Sequence, residues 1–173
     1  MGRLAEKVAI ITGGAGGIGM AAGKRFAAEG AQVLLVDLDE QALVDACAEI
    51  GGNHVSYLVG DVTSADDNAR MVETATERYG GVDIFLANAG IEGDVASILD
   101  YDESRFDQVM SVNVKGPFLG LRAAVPAMRL RSGGSIICLC DAFDGPHPGR
   151  AWHDRYAQWP LRYWSSHCRD CSS

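Results

Sequence analysis

Residues 8–19 read VAIITGGAGGIG, and the rest of the chain is best read outward from them. The run 8–12 is apolar throughout and bounded by glycines, which suits a short strand covered on both faces. The glycines that follow tolerate positive φ and carry no Cβ, so the chain can turn sharply out of the strand. A helical pattern then covers 17–29 and stops at Gly30, a residue suited to the left-handed C′ position. The alternation repeats downstream. QVLLVD at 32–37 is a second buried strand, and 40–49 is a helix closed by Gly51 and Gly52. Residues 55–59 form a third strand, and 65–79 a charged amphipathic helix ending at Gly80 and Gly81. Residues 84–87 form a fourth strand, 105–131 a long helical pattern with bends expected at Pro117 and Pro126, and SIICL at 135–139 a fifth strand.

Strands that alternate with helices imply an α/β fold with a parallel sheet wound on both faces. Right-handed crossovers leave few topologies, and the simplest is a Rossmann-type doubly wound sheet of order 3-2-1-4-5. No internal repeat on a solenoid scale is present.

Gly13, Gly17 and Gly19 sit where the first strand hands over to the first helix, with Ala15, Gly16 and Ile18 completing the turn. Glycine there lets a pyrophosphate approach the backbone, and the helix N-terminus offers it free N–H groups and partial positive charge. A tight strand–helix junction without a ligand uses the same residues. Asp37 ends the second strand about 20 residues beyond the glycines, the spacing of a dinucleotide fingerprint. A carboxylate there accepts hydrogen bonds from ribose hydroxyls and repels a 2′-phosphate, which favours NAD over NADP. The alternative for Asp37 is a solvated acid that starts the next turn.

TGGAGGIG resembles the TGxxxGIG turn of the short-chain dehydrogenase/reductase family, and further matches follow in order. Gly60-Asp61-Val62 is similar to the family's adenine-contacting Asp-Val at the end of the third strand. Asn88-Ala89-Gly90 is similar to its NAG segment, which steadies the central sheet and lines the cofactor. Asn113-Val114-Lys115-Gly116 is similar to the helix motif whose Asn holds a water in a proton relay, and Val112 falls at a cofactor-lining position. The resemblance spans roughly residues 4–139. It implies a 1–139 NAD-binding domain, an NAD cofactor, hydride transfer between alcohols and carbonyls, and a small alcohol or ketone as substrate. Asn113 is the catalytic residue it carries over. Taken alone, Asp61 also reads as a turn former and Asn113 as a helix-bending polar residue.

The family pattern breaks after Leu139. A Tyr followed four residues later by a Lys serves these enzymes as general acid/base, because a phenol is a poor base at neutral pH without a neighbouring cation. Here Tyr156 is followed at that spacing by Pro160 and Tyr163 by His167, and Asp141 stands where the family places a Ser. The tail holds Trp152, Trp159 and Trp164, and its only large aliphatic residue is Leu161. No strand is expected from such a composition. The expectation is a sheet that stops after its fifth strand and an irregular tail over 140–173, read out of frame or supplied by an alternative end. The resulting chain is expected to be catalytically impaired. The other reading is a non-catalytic NAD-binding or regulatory module that pairs with an intact homologue through the 105–131 helix, the same surface expected to build a homo-oligomer.

Composition narrows the remaining classes. The chain has 173 residues, 47% of them hydrophobic, which supports one packed domain. A net charge of −8 argues against nucleic-acid binding. No long apolar run or leader-like stretch appears, so the sequence is read as cytoplasmic and without a membrane partner. The five cysteines, with Cys168 and Cys171 beside His167, do not have the spacing of a four-ligand zinc site, and no metal is expected. A methyltransferase shares the glycine turn and strand-end acid, but the TGxxxGIG spacing and the Asn88 and Asn113 segments disfavour it. A flavodoxin-like site gives Asp37 no role.

Overall fold

The aliphatic runs form five parallel strands in a computed structural model that describes residues 2–139. These are β1 (Val8–Thr12), β2 (Gln32–Asp37), β3 (Val55–Val59), β4 (Ile84–Ala87) and β5 (Ser135–Cys138), ordered β3-β2-β1-β4-β5 as expected. The expectations for the tail, including Asp141, Tyr156, Tyr163, His167, Cys168 and Cys171, lie outside the described residues.

Alternation along each strand builds two cores. Val8, Ile10, Leu34, Val36 and Phe85 face helices α3 (Ala65–Tyr79) and α5 (Gly116–Leu130), where Met71, Ala75, Ala124 and Met128 meet them. Ile11, Val33, Leu35 and Leu86 face the other way, against α1 (Gly17–Ala28) and α2 (Glu40–Ile50). Burial on both sides explains why the strands read as continuous apolar runs. Truncating one of these residues, such as Leu34, to alanine costs about 3 kcal/mol. Register pairs Thr12 with Val36, and Ile11 with Leu86, so the carboxyl ends of β1, β2 and β4 come out together.

The 105–131 pattern begins earlier and is not uniform. Asp102 caps α4 (Glu103–Met110) by accepting from the Ser104 N–H, a π-helical turn follows over Ser111–Lys115, and α5 continues from Gly116. Pro117 has no N–H, so the wider turn ahead of it accommodates a carbonyl that would otherwise lack its donor. Pro126 lies inside α5.

Two features sit away from the glycine turn. On the outer strand β3, the carbonyl of Val59 accepts from Arg70 at 2.8 Å and that of Tyr57 from Arg78 at 3.1 Å. At the amino ends of β1 and β4, the buried Asp83 carboxylate accepts from the Val8 N–H at 2.9 Å and from Arg131 Nη2 at 2.8 Å, with Lys7 Nζ at 3.6 Å. Among the described residues, no helix is long and apolar enough to cross a membrane.

Candidate functional site

Of the four helices that start from a loop, three begin with a side-chain cap and α1 does not; α5 continues directly from the π turn. Asp39 accepts from the Ala42 N–H at the start of α2, Ser64 from Asp67 at the start of α3, and Asp102 from Ser104 at the start of α4. Helix α1 starts at Gly16 with no side chain to offer and no acidic residue in its first turn. Its first N–H groups, at Gly17, Ile18 and Gly19, have no acceptor among the described residues. Orphan donors at a helix N-terminus, together with the helix dipole, form an anion slot.

The glycines divide by what a side chain would meet. Gly13 has φ 63°, and a Cβ there would stand 2.7 Å from Asn88 Nδ2 and 2.9 Å from Ala89 Cα. A Cβ on Gly19 would run into the Gly13 carbonyl oxygen, and one on Gly14 would stand 2.8 Å from Leu35 Cβ. Those three are required by the protein's own packing. Gly17 is different: a Cβ there meets nothing within 4 Å, its φ is not positive, and at Gly16 only the Gly13 oxygen stands nearby, at 3.4 Å. Among the described residues nothing demands glycine at 17. The open space in front of it, beside uncapped N–H groups, fits a phosphate-bearing cofactor.

Asp37 is bound to this turn. Its Oδ2 accepts from the Ala15 N–H at 3.1 Å and its Oδ1 from Leu38 at 2.8 Å. The Ala15 amide is therefore spent within the protein, whereas both Asp37 oxygens keep lone pairs for further donors. Beside Asp37 runs an open groove of about 690 Å³ lined by Leu38, Asp39, Glu40, Gln41 and Val44, with Leu38 68% exposed.

On the next strand end, the Asp61 Oδ1 accepts from both the N–H and the hydroxyl of Thr63, each at 2.8 Å, so the turn-forming reading of this residue describes one of its oxygens. Val62 packs on α5, where a Cβ at Gly116 would stand 3.0 Å from Val62 Cγ2.

Asn88 ties β4 to the glycine turn, its Nδ2 donating to the carbonyls of Thr12 at 2.9 Å and Gly13 at 3.0 Å. A residue not singled out in the sequence, Thr12, is the hub of that knot. Its hydroxyl is buried and accepts from the N–H groups of Asn88 and Ala89, each at 3.1 Å. The available signal was one polar residue closing an otherwise aliphatic strand. Gly90 passes close to Asn113, where a Cβ would stand 3.4 Å from Oδ1. Asn113 itself clamps one residue further on: Oδ1 accepts from the Ile91 N–H at 2.9 Å and Nδ2 donates to the Ile91 carbonyl at 3.0 Å. Val112 shares the π turn with it. The structure thus brings Gly13–Gly19, Asp37 and Asn88 together through direct bonds, and joins Asn113 to the exit of β4.

A family profile described as short chain dehydrogenase matches residues 7–142. An uncharacterized oxidoreductase of Mycobacterium bovis is 45% identical over 135 residues, covering 78% of this chain and 54% of that protein. Dehydrogenase/reductase SDR family member 4 of Homo sapiens is 38% identical over 149 residues, covering 84% of this chain and 54% of that protein. The crystal structure of NAD+-bound xylitol dehydrogenase superposes with a TM-score of 0.75 at 33% identity, covering 78% of this chain and 52% of that one. The chain spans about half the length of the curated relatives it matches.

Proposed function

This chain belongs to the short chain dehydrogenase family, and from that premise we propose that it binds NAD across the carboxyl ends of β1 to β4. The observation that carries this reading is the uncapped start of α1, whose Gly17, Ile18 and Gly19 amides stand free beside a glycine with no internal reason to be one. Those amides hold the pyrophosphate, Asp37 accepts from the adenosine ribose hydroxyls, and Asp61 accepts from the adenine 6-amino group. Asn88, Ala89, Gly90 and Val112 line the nicotinamide half. When bound, the cofactor supplies hydride transfer with a small alcohol or ketone. Asp37, with Asp39 and Glu40 in the adjoining groove and no cation lining it among the described residues, disfavours a 2′-phosphate and so favours NAD over NADP.

Asn113 acts by position. With its amide engaged at both ends by Ile91, it fixes the segment after β4 against the π turn beside Val112. No Tyr-x-x-x-Lys pair occurs within these 173 residues, so Asn113 is the one residue here that the family resemblance ties to the proton relay. A calorimetric titration with NAD+, NADH and NADP+ tests the cofactor reading. Saturable NAD binding, at least about tenfold tighter than NADP, is expected, a difference of about 1.4 kcal/mol. No saturable binding of any of the three would overturn it.

One observation favours a second reading, a non-catalytic NAD-binding module that pairs with a like chain. Phe106, Met110, Val114 and Phe118 recur every fourth residue through α4, the π turn and α5, and are 54%, 40%, 53% and 60% exposed. Such a stripe is large for an isolated surface. Size-exclusion chromatography of the wild type and Phe118→Glu decides: this reading expects a dimer that the substitution dissociates, and a wild-type monomer removes it.

A further inference from the structure

The β3–α3 turn that presents Asp61 is held from behind by three side chains of α3. Asp67 Oδ2 accepts from the Asp61 N–H at 2.8 Å. Asp67 Oδ1 pairs with Arg70 Nη2 at 3.0 Å, and the same guanidinium nitrogen donates to the Val59 carbonyl at 2.8 Å. Asn68 Nδ2 donates to the carbonyls of Val62 at 2.8 Å and Ser64 at 2.7 Å. The turn is therefore anchored on both sides of Asp61, at Val59 and at Val62. It is also joined to the neighbouring strand end, since the Gly60 N–H donates to the Asp37 carbonyl at 3.0 Å.

Within Asp61 the two carboxylate oxygens differ. Oδ1 takes both Thr63 donors, while Oδ2 has no hydrogen-bond partner among the described residues. Thr63 sets the rotamer of that side chain, but the position of its backbone depends on Asp67. A charge-assisted bond from a carboxylate to a backbone N–H is about twice as strong as a neutral one. Arg70 in turn keeps the Asp67 carboxylate facing the turn. Misplacing a recognition group by about 1 Å is enough to lose a directional hydrogen bond.

We infer that Asp67, braced by Arg70, is a positioning residue for recognition of the adenine 6-amino group by Asp61. Neither residue touches the cofactor in this arrangement; both act by fixing where Asp61 stands. The inference rests on the adenine role proposed for Asp61 above.

The test compares NAD+ with nicotinamide hypoxanthine dinucleotide, in which a carbonyl oxygen replaces the 6-amino group. A carboxylate that accepts from the amino group repels that oxygen. Titrations of the full 173-residue chain should show a wild-type preference of about tenfold for NAD+, as expected for one hydrogen bond to a charged acceptor. In Asp67→Ala the preference should fall to within about twofold. Arg70→Met is the second variant. It keeps the aliphatic stem of a half-exposed side chain, so folding is retained. It should lose preference in the same direction with a melting temperature near the wild type. A folded variant that binds both dinucleotides more weakly but keeps the tenfold ratio overturns the inference, since a merely structural role weakens both alike. So does a wild type that binds both equally, which leaves NAD binding itself intact. A wild type that binds neither dinucleotide brings down the cofactor reading, and this inference with it, without recourse to any variant.

Discussion

Gly17→Ala is expected to raise stability and lower cofactor affinity at the same time. Among the described residues the added methyl meets no atom within 4 Å, and the backbone there is not in a glycine-only conformation. Glycine at a helical position costs about 0.5–1 kcal/mol relative to alanine. Removing that cost raises the melting temperature by about 2–3 °C for a chain of this size. The same methyl occupies the space in front of the uncapped amides. Loss of one charge-assisted N–H bond to a phosphate is worth about 1.5–3 kcal/mol, so NAD affinity should fall by about ten- to a hundredfold. Gly19→Ala supplies the contrast. Its methyl runs into the Gly13 carbonyl, and overpacking of that kind costs about 1–3 kcal/mol. Differential scanning calorimetry and isothermal titration on the two variants read both quantities. A Gly17→Ala protein that melts clearly below the wild type refutes the claim that its glycine serves no internal need. One that melts higher yet binds NAD undiminished refutes the placement of the phosphate.

Three further outcomes follow from the same geometry. Burial raises the affinity of the Asp83 carboxyl for a proton, but the hydrogen bonds from Arg131 and the Val8 N–H and the charges of Arg131 and Lys7 outweigh it, so the group ionises below the usual carboxylate range. A lowered folded value means stability that is present above the unfolded pKa, near 4, and lost as pH falls through the folded one. Asp83→Ala should therefore melt about 3 kcal/mol below wild type at pH 7, with the gap narrowing below about pH 4; a gap independent of pH would sink the assignment. Thr12→Val keeps the shape of the side chain but orphans the Asn88 and Ala89 N–H groups. It should cost about 2–3 kcal/mol in urea unfolding, with Thr12→Ser close to wild type. Asp37→Ser removes the charge at the end of β2 and should narrow the NAD over NADP preference by about tenfold in competition titrations. An unchanged preference there would move cofactor selection to other residues.

The strands and their order were legible because doubly buried strands have a one-dimensional signature: VAIIT, QVLLVD and IFLA need no partner to be read. The glycine turn was legible for the same local reason, as was the strand-end place of Asp37. Pairings across long separations were not. Asp83 meets Arg131 across 48 positions and Asn113 meets Ile91 across 22, and no local pattern marks either. The start of α4 at Glu103 was missed although Asp102 is a strong capping residue, because the hydrophobic period becomes regular only further on. The π turn has no sequence mark of its own apart from Pro117 two residues after it. Asp67 and Arg70 read as an ordinary first-turn acid and an i,i+3 partner. Their hold on Asp61 becomes visible only when β3 is seen to end beside them.

The guanidinium groups of Arg70 and Arg78 act as stoppers on one rim of the sheet. A newcomer zipping onto Val55–Val59 would first have to strip both from the carbonyls they occupy. The opposite rim, Ser135–Cys138, carries no such side-chain stopper among the described residues. Among the described residues the two rims of the sheet therefore differ, and the difference is encoded on a helix rather than in the strands themselves.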